Sequence, residues 1–242
     1  MFGRLKFFFK RLKSLRVEPE FRRARLWTNI ELKKIAHNFT GTVINVSGWA
    51  DEDKCGAVYR DYFVNAEEYF VSNLGGGAQE GMQKILPDSI PIDLSQPIES
   101  KHFQAYDCVF SHTVLEHVFN IFQAVKNLCD MSRELIIVIV PFVQRVHFQP
   151  GSFLDFWRFT PFCIEQIFGL SGFEPVYRKG INIPGTSLYY FYVFSKKNSE
   201  KWLALFGPIE RLENLPKGED IYTIDRLKGY LKYVWFRQKK FD

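Results

Sequence analysis

The run Leu135–Val140 (LIIVIV) limits most strongly what this chain can fold into. A strand that is apolar at every position has no solvent face, so its sheet must be covered on both sides. Neighbouring segments supply the cover. Val114 to Met131 is predicted as one helix, with Leu115, Val118, Ile121, Phe122, Val125 and Leu128 on one face. Pro161 to Leu170 is predicted as another, with Pro161 suited to the first turn. Pro141 is expected to end the LIIVIV strand. Further strands are expected at Thr42–Val46, Tyr69–Ser72, Ile90–Leu94 and Tyr106–Phe110, then at Gly172–Val176 and Leu188–Phe194. Alternating strands and helices make a mostly parallel α/β sheet, and the two neighbouring late strands add an antiparallel edge.

The ends of the chain differ from this middle. Residues 1–26 hold nine Lys or Arg against two Glu, a net of +7, so the rest of the chain sums to −2 of the total +5. The body is therefore no basic platform, and no nucleic-acid partner is expected. Residues 1–38 read as a basic helical arm, 39–197 as the α/β domain and 198–242 as a helical appendage interrupted by Pro208, Pro216 and Gly218. In the arm, Leu5, Phe8, Phe9, Leu12 and Leu15 share a helical face. That face either packs on the domain or gives residues 1–26 peripheral contact with anionic lipid. No apolar run reaches the roughly 18–20 residues of a membrane span. Cys55, Cys108, Cys129 and Cys163 lack paired spacing, as expected of buried thiols in a reducing, cytoplasmic setting.

In an open parallel sheet, ligands bind beyond the carboxyl ends of the strands. There the sequence carries 106–118 (YDCVFSHTVLEHV), then Val140–His147 (VPFVQRVH), Pro150, 155–161 (DFWRFTP) and Gly172-Phe173-Glu174. This order resembles one branch of the class I S-adenosylmethionine-dependent methyltransferases across about residues 40–195. The resemblance implies a Rossmann-like sheet and S-adenosylmethionine as cofactor. It also implies methyl transfer, most readily O-methylation, to a small or glycan-linked acceptor of the kind found in polysaccharide biosynthesis.

The first half departs from the family pattern. A glycine-rich loop is expected after the first strand, because backbone must approach the cofactor closely. Here Asn45, Ser47 and Gly48 occupy that place, with one glycine kept and Trp49 where a small residue is usual. Asn73 stands where a carboxylate normally accepts the ribose hydroxyls. Replacing a charge-assisted bond in this way costs on the order of 1.5–3 kcal/mol. Asp93 matches the adenine-contacting acid, or is a plain capping Asp. Ser111 is expected along the cofactor cleft.

On the acceptor side, His112 is a candidate to polarise a hydroxyl, or a polar cap. Glu116 and His117 are expected to form structural hydrogen bonds near the cleft. His147 with Asp155 has the makings of a base and its orienting partner, and Arg158 suits an acid group on the acceptor. The alternative is an Asp155–Arg158 ion pair that steadies the loop, with His147 pinned to backbone. His112, His117 and His147 lack metal-ligand spacing, so no metal is expected. Asn45, Ser47, Trp49 and Asn73 also motivate a second reading, a binding or scaffold protein with a decayed cofactor site. A third is a membrane adaptor using the basic arm and Tyr230, Tyr233, Trp235, Phe236 and Arg237.

Overall fold

The computed structural model describes residues 23–74, 86–149, 153–183 and 187–217. The expectations for residues 1–22, Pro150 and the aromatic carboxy terminus lie outside them. The strands are β1 (Gly41–Asn45), β2 (Ala66–Asn73), β3 (Ile90–Pro91), β4 (Tyr106–His112), β5 (Ser132–Val143), β6 (Glu174–Ile183) and β7 (Ser187–Ser195). The helices are α1 (residues 23–36), α2 (Ile121–Met131), α3 (Pro161–Gly169) and α4 (Ser199–Phe206).

One sheet holds the strands in the order β3-β2-β1-β4-β5-β7-β6. β1 through β5 pair in parallel, and β7 runs antiparallel to both β5 and β6. This is the mostly parallel sheet with an antiparallel edge that the sequence implies. Strand alternation sorts the core. Leu135, Ile137 and Ile139 of β5 join Phe191 and Val193 on one face, while Ile136, Val138 and Val140 join Tyr190, Tyr192 and Phe194 on the other. α2 and α3 cover the second face through Val125, Leu128, Ile164 and Phe168. α1 covers the first, burying Ala24, Thr28, Leu32, Ile35 and Ala36 at helical spacing, with Trp202 of α4 beside it.

Three expectations need correction. The helix expected from Val114 begins only at Ile121, after a 3-10 turn at Leu115–His117. The carbonyl of Glu116 accepts the amides of Phe156 (2.7 Å) and Trp157 (3.2 Å), so it does not feed a helical ladder. Phe122 is consequently exposed rather than on the buried face. Pro141 does not end β5: it lies beyond Ile139, the last residue paired with β4, where a missing N–H breaks no parallel bond. β4 runs on to His112, so Ser111 and His112 belong to the strand itself.

Candidate active site

The chain builds outward from β1 through β2 to β3, then crosses back to β4 on the other side of β1. Crevices form where strand order reverses in this way. Asn45, the last residue of β1, pairs with Phe110 of β4, and a cleft of about 1200 Å3 opens beyond this edge. Its wall includes Arg25, Asn45, Gly48, Trp49, Asn73 and Asp93, and further round Glu116, His117, His147 and Tyr189.

The loop after β1 is strained and heavily braced. Ser47, Trp49, Asp51 and Lys54 have φ between 52° and 62°, a region that residues other than glycine enter only under constraint. Buried Asp51 supplies that constraint, accepting from Asn45 Nδ2 (2.8 Å), Tyr69 Oη (2.7 Å) and the Arg60 amide (2.8 Å). Gly48 has no room for a side chain: a Cβ there would stand 2.5 Å from Asn45 Nδ2. The amides of Ser47, Gly48 and Trp49 all bond within the protein, to Ser72 Oγ (3.3 Å), Ser72 O (3.0 Å) and Asn73 Oδ1 (2.7 Å). Asn73 returns a bond from Nδ2 to the Trp49 carbonyl (3.1 Å). Asp93, on the cleft lining, uses Oδ1 to accept the amide and hydroxyl of Ser95, both within 2.8 Å, and its Oδ2 has no bond among the described residues.

His112 is buried and bonded at both ring nitrogens. Thr28 Oγ1 donates to the Arg25 carbonyl (2.8 Å), so it accepts from His112 Nε2–H (2.8 Å). Nδ1 is then the acceptor for Arg25 Nη1 at 2.7 Å. Burial, reinforced by Arg25, holds this imidazole well below its ordinary pKa. It is neutral, and its one lone pair is occupied.

His117 and His147 meet edge to face, with ring centroids 4.8 Å apart. His117 Nδ1–H donates to the Leu154 carbonyl (2.7 Å), which leaves Nε2 unprotonated. His147 Nδ1 lies 3.3 Å from Gln144 Nε2 and 3.5 Å from Asp155 Oδ2. Burial lowers the pKa of both rings, and Asp155 partly opposes this at His147. Asp155 is shielded from solvent; burial alone would raise its pKa, but Arg158 and the His147 amide bring it below the ordinary value. Arg158 grips it through both Nη atoms, Nη2 at 2.7 Å. Glu116 is buried with neither carboxyl oxygen bonded among the described residues, and burial pushes its pKa up to about 8.

No family model matches the sequence, and no curated protein matches it. Solved structures do. Magnesium protoporphyrin IX methyltransferase from Synechocystis, with bound S-adenosylhomocysteine, aligns with a TM-score of 0.52 at 14% identity, over 75% of this chain and 87% of that one. The 1,6-didemethyltoxoflavin-N1-methyltransferase of Burkholderia thailandensis aligns with a TM-score of 0.50 at 13% identity, over 77% and 88%. The fold is that of the class I S-adenosylmethionine-dependent methyltransferases.

Within this methyltransferase fold, Asn45, Ser47, Gly48, Asn73, Asp93, His112 and His147 all line the one cleft. Ser111 is fully buried in β4 and does not reach it, because strand alternation turns its side chain inward where His112 turns out. Asp155 and Arg158 pair with each other beside His147, and neither is among the residues that line the cleft. Arg25, Lys54 and Tyr189 also line the cleft, although no sequence motif marks them. Arg25 meets its partners across 34 to 88 residues of chain, so only the shared helical face of Arg25 and Thr28 hints at it.

Proposed function

We propose that this chain is an S-adenosylmethionine-dependent methyltransferase that O-methylates a small or glycan-linked acceptor. The observation that carries the reading is the convergence of the β1 loop, Asn73, Asp93 and the end of β4 on one cleft, in a fold shared with methyltransferases. The donor set fits a nucleoside cofactor. Asp93 keeps a free carboxylate oxygen for an exocyclic amine, Trp49 offers an aromatic wall, and the cleft has room for two ligands. Asn45, Gly48, Asn73 and Asp93 would hold the cofactor.

When bound, S-adenosylmethionine supplies an electrophilic methyl group on a sulfonium centre. The chain's own work is positioning, exclusion of water and removal of the acceptor's proton. His147 suits the removal of that proton, since it is neutral at pH 7 and Asp155 Oδ2 stands ready to stabilise a proton on Nδ1. Arg158 fixes the carboxylate that does so. His112 serves as an anchor for Arg25 instead of as a base.

A binding protein without turnover is the second reading, favoured by the Asn73 amide closing on the Trp49 backbone where a ribose would be expected. Thermal melting with S-adenosylhomocysteine separates the two. At a hundredfold excess over Kd, a ligand of the native state adds about 2.7 kcal/mol, or roughly 5–10 °C for a chain of this size. A melting temperature indifferent to millimolar ligand would remove support for the enzyme.

A further inference from the structure

Arg25 lines the cleft from α1, and its hydrogen-bond partners among the described residues are neutral acceptors. Nη1 donates to Tyr59 Oη (3.0 Å) and His112 Nδ1 (2.7 Å), and Nη2 donates to Thr113 Oγ1 (3.0 Å). Three of five N–H groups are used, and one each on Nη2 and Nε has no bond among the described residues. No carboxylate forms an ion pair with this guanidinium among those residues. A second cation shares the cleft. Lys54 is held in its left-handed turn with Nζ 5.6 Å from the Trp49 ring centre. Burial lowers its pKa, Arg25 lowers it further, and Glu52 only partly offsets them. Two like charges face one space.

The nearby loop offers an anion little. Its amides at Ser47, Gly48 and Trp49 are bonded internally, so a ligand's acid group entering this cleft must find cations elsewhere. Burial favours the neutral form of Glu116, which lines the same cleft and so competes little for Arg25, while Glu52, also on the lining, acts on Lys54.

We propose that Arg25 and Lys54 form an anion subsite that takes a carboxylate or phosphate carried by a ligand of this cleft. A guanidinium pinned by three neutral acceptors is pre-oriented, and its remaining N–H groups suit the paired oxygens of such a group. The idea rests on the cleft being the ligand site of the proposed methyltransferase. The anion comes from one of two sources, the amino-acid carboxylate of the methyl donor or an acid group on the acceptor.

Calorimetry on the full chain distinguishes them with three probes: inorganic phosphate, S-adenosylhomocysteine and 5′-methylthioadenosine, which lacks the amino-acid portion. Wild type should bind phosphate, and Arg25→Gln and Lys54→Met should each weaken it at least tenfold. If the donor's carboxylate is the anion, Arg25→Gln also weakens S-adenosylhomocysteine tenfold or more and leaves methylthioadenosine unchanged. If the acceptor supplies it, both nucleosides keep their affinity, and phosphate still binds wild type saturated with S-adenosylhomocysteine but not Arg25→Gln. Arg25-dependent phosphate binding with no nucleoside binding would support the subsite while counting against the methyl donor. Lys54 Nζ forms no hydrogen bond or ion pair among the described residues, so Lys54→Met carries the test if Arg25→Gln fails to fold. Absence of phosphate binding by wild type, or phosphate binding by both variants as tight as by wild type, would overturn the proposal.

Discussion

His112 takes a hydrogen bond from Arg25 on Nδ1, at 2.7 Å, while its Nε2–H points to the hydroxyl of Thr28. A ring so held has no free lone pair, and protonating it would set a cation against the guanidinium. His112 should therefore stay neutral from pH 8 down to pH 5, whereas His117 and His147 should titrate with midpoints below 6.5. Proton NMR of the imidazole C–H resonances, assigned with single His→Gln variants, measures this. A His112 midpoint near 6.5 would contradict the arrangement.

Arg158 and His147 should separate when each is replaced. Removing Arg158 leaves the solvent-shielded Asp155 carboxylate without its two-bond partner, a change of the kind that costs about 3–5 kcal/mol. His147→Gln keeps an amide on the half-exposed rim and should cost under about 1 kcal/mol. Turnover should show the reverse emphasis: with an acceptor hydroxyl, His147→Gln should lower the single-turnover rate roughly 10²–10⁴-fold and remove its decline below pH 6.5. Urea unfolding of Arg158→Met and His147→Gln gives the stability half of the comparison.

Glu116 makes stability depend on pH. Burial lifts its pKa from 4.5 to about 8, so the folded protein keeps a proton that the unfolded chain releases above pH 4.5. Its contribution is full below pH 4.5 and falls as pH rises to about 8, by up to about 1.4 kcal/mol per pH unit. Buried histidines slope the other way, losing stability as pH falls. Glu116→Gln removes the carboxyl's share alone, so its advantage over wild type should grow between pH 5 and pH 8 in chemical denaturation. A constant difference across that range would mean the carboxyl is ionised in the fold.

Asn73 is matched to the Trp49 backbone, offering Oδ1 to the amide and Nδ2 to the carbonyl. Asn73→Asp restores the carboxylate usual in this fold but sets its second oxygen against the Trp49 carbonyl. The variant should lose about 1–3 kcal/mol in urea and gain no affinity for S-adenosylhomocysteine. A gain in affinity would mean that ribose, and not Trp49, is the natural partner of position 73.

The sheet was legible because LIIVIV admits no solvent face and because strands and helices alternate around it. The cleft was legible too, since positions 45–48, 73, 93, 112 and 147 follow or end strands and so gather at one edge. What the sequence hid were contacts made across long stretches of chain. Nothing local marks Arg25 as a partner of His112, or turns Asn73 away from a ligand and onto Trp49. Helical periodicity misplaced the start of α2, because the 116 carbonyl is claimed by amides 40 residues later. Alternation within β4, which runs two residues further than expected, decides that His112 and not Ser111 faces the cleft.

Titration calorimetry of the wild-type chain with S-adenosylhomocysteine tests the cofactor site most directly, with Gly48→Ala as its control. A Cβ at position 48 would stand 2.5 Å from Asn45 Nδ2 and force either the Asn45 side chain or the β1 loop to shift. One ligand should bind per chain, and Gly48→Ala should weaken it at least tenfold. No heat of binding to a folded wild-type chain at millimolar ligand would contradict the assignment of this cleft to a methyl donor.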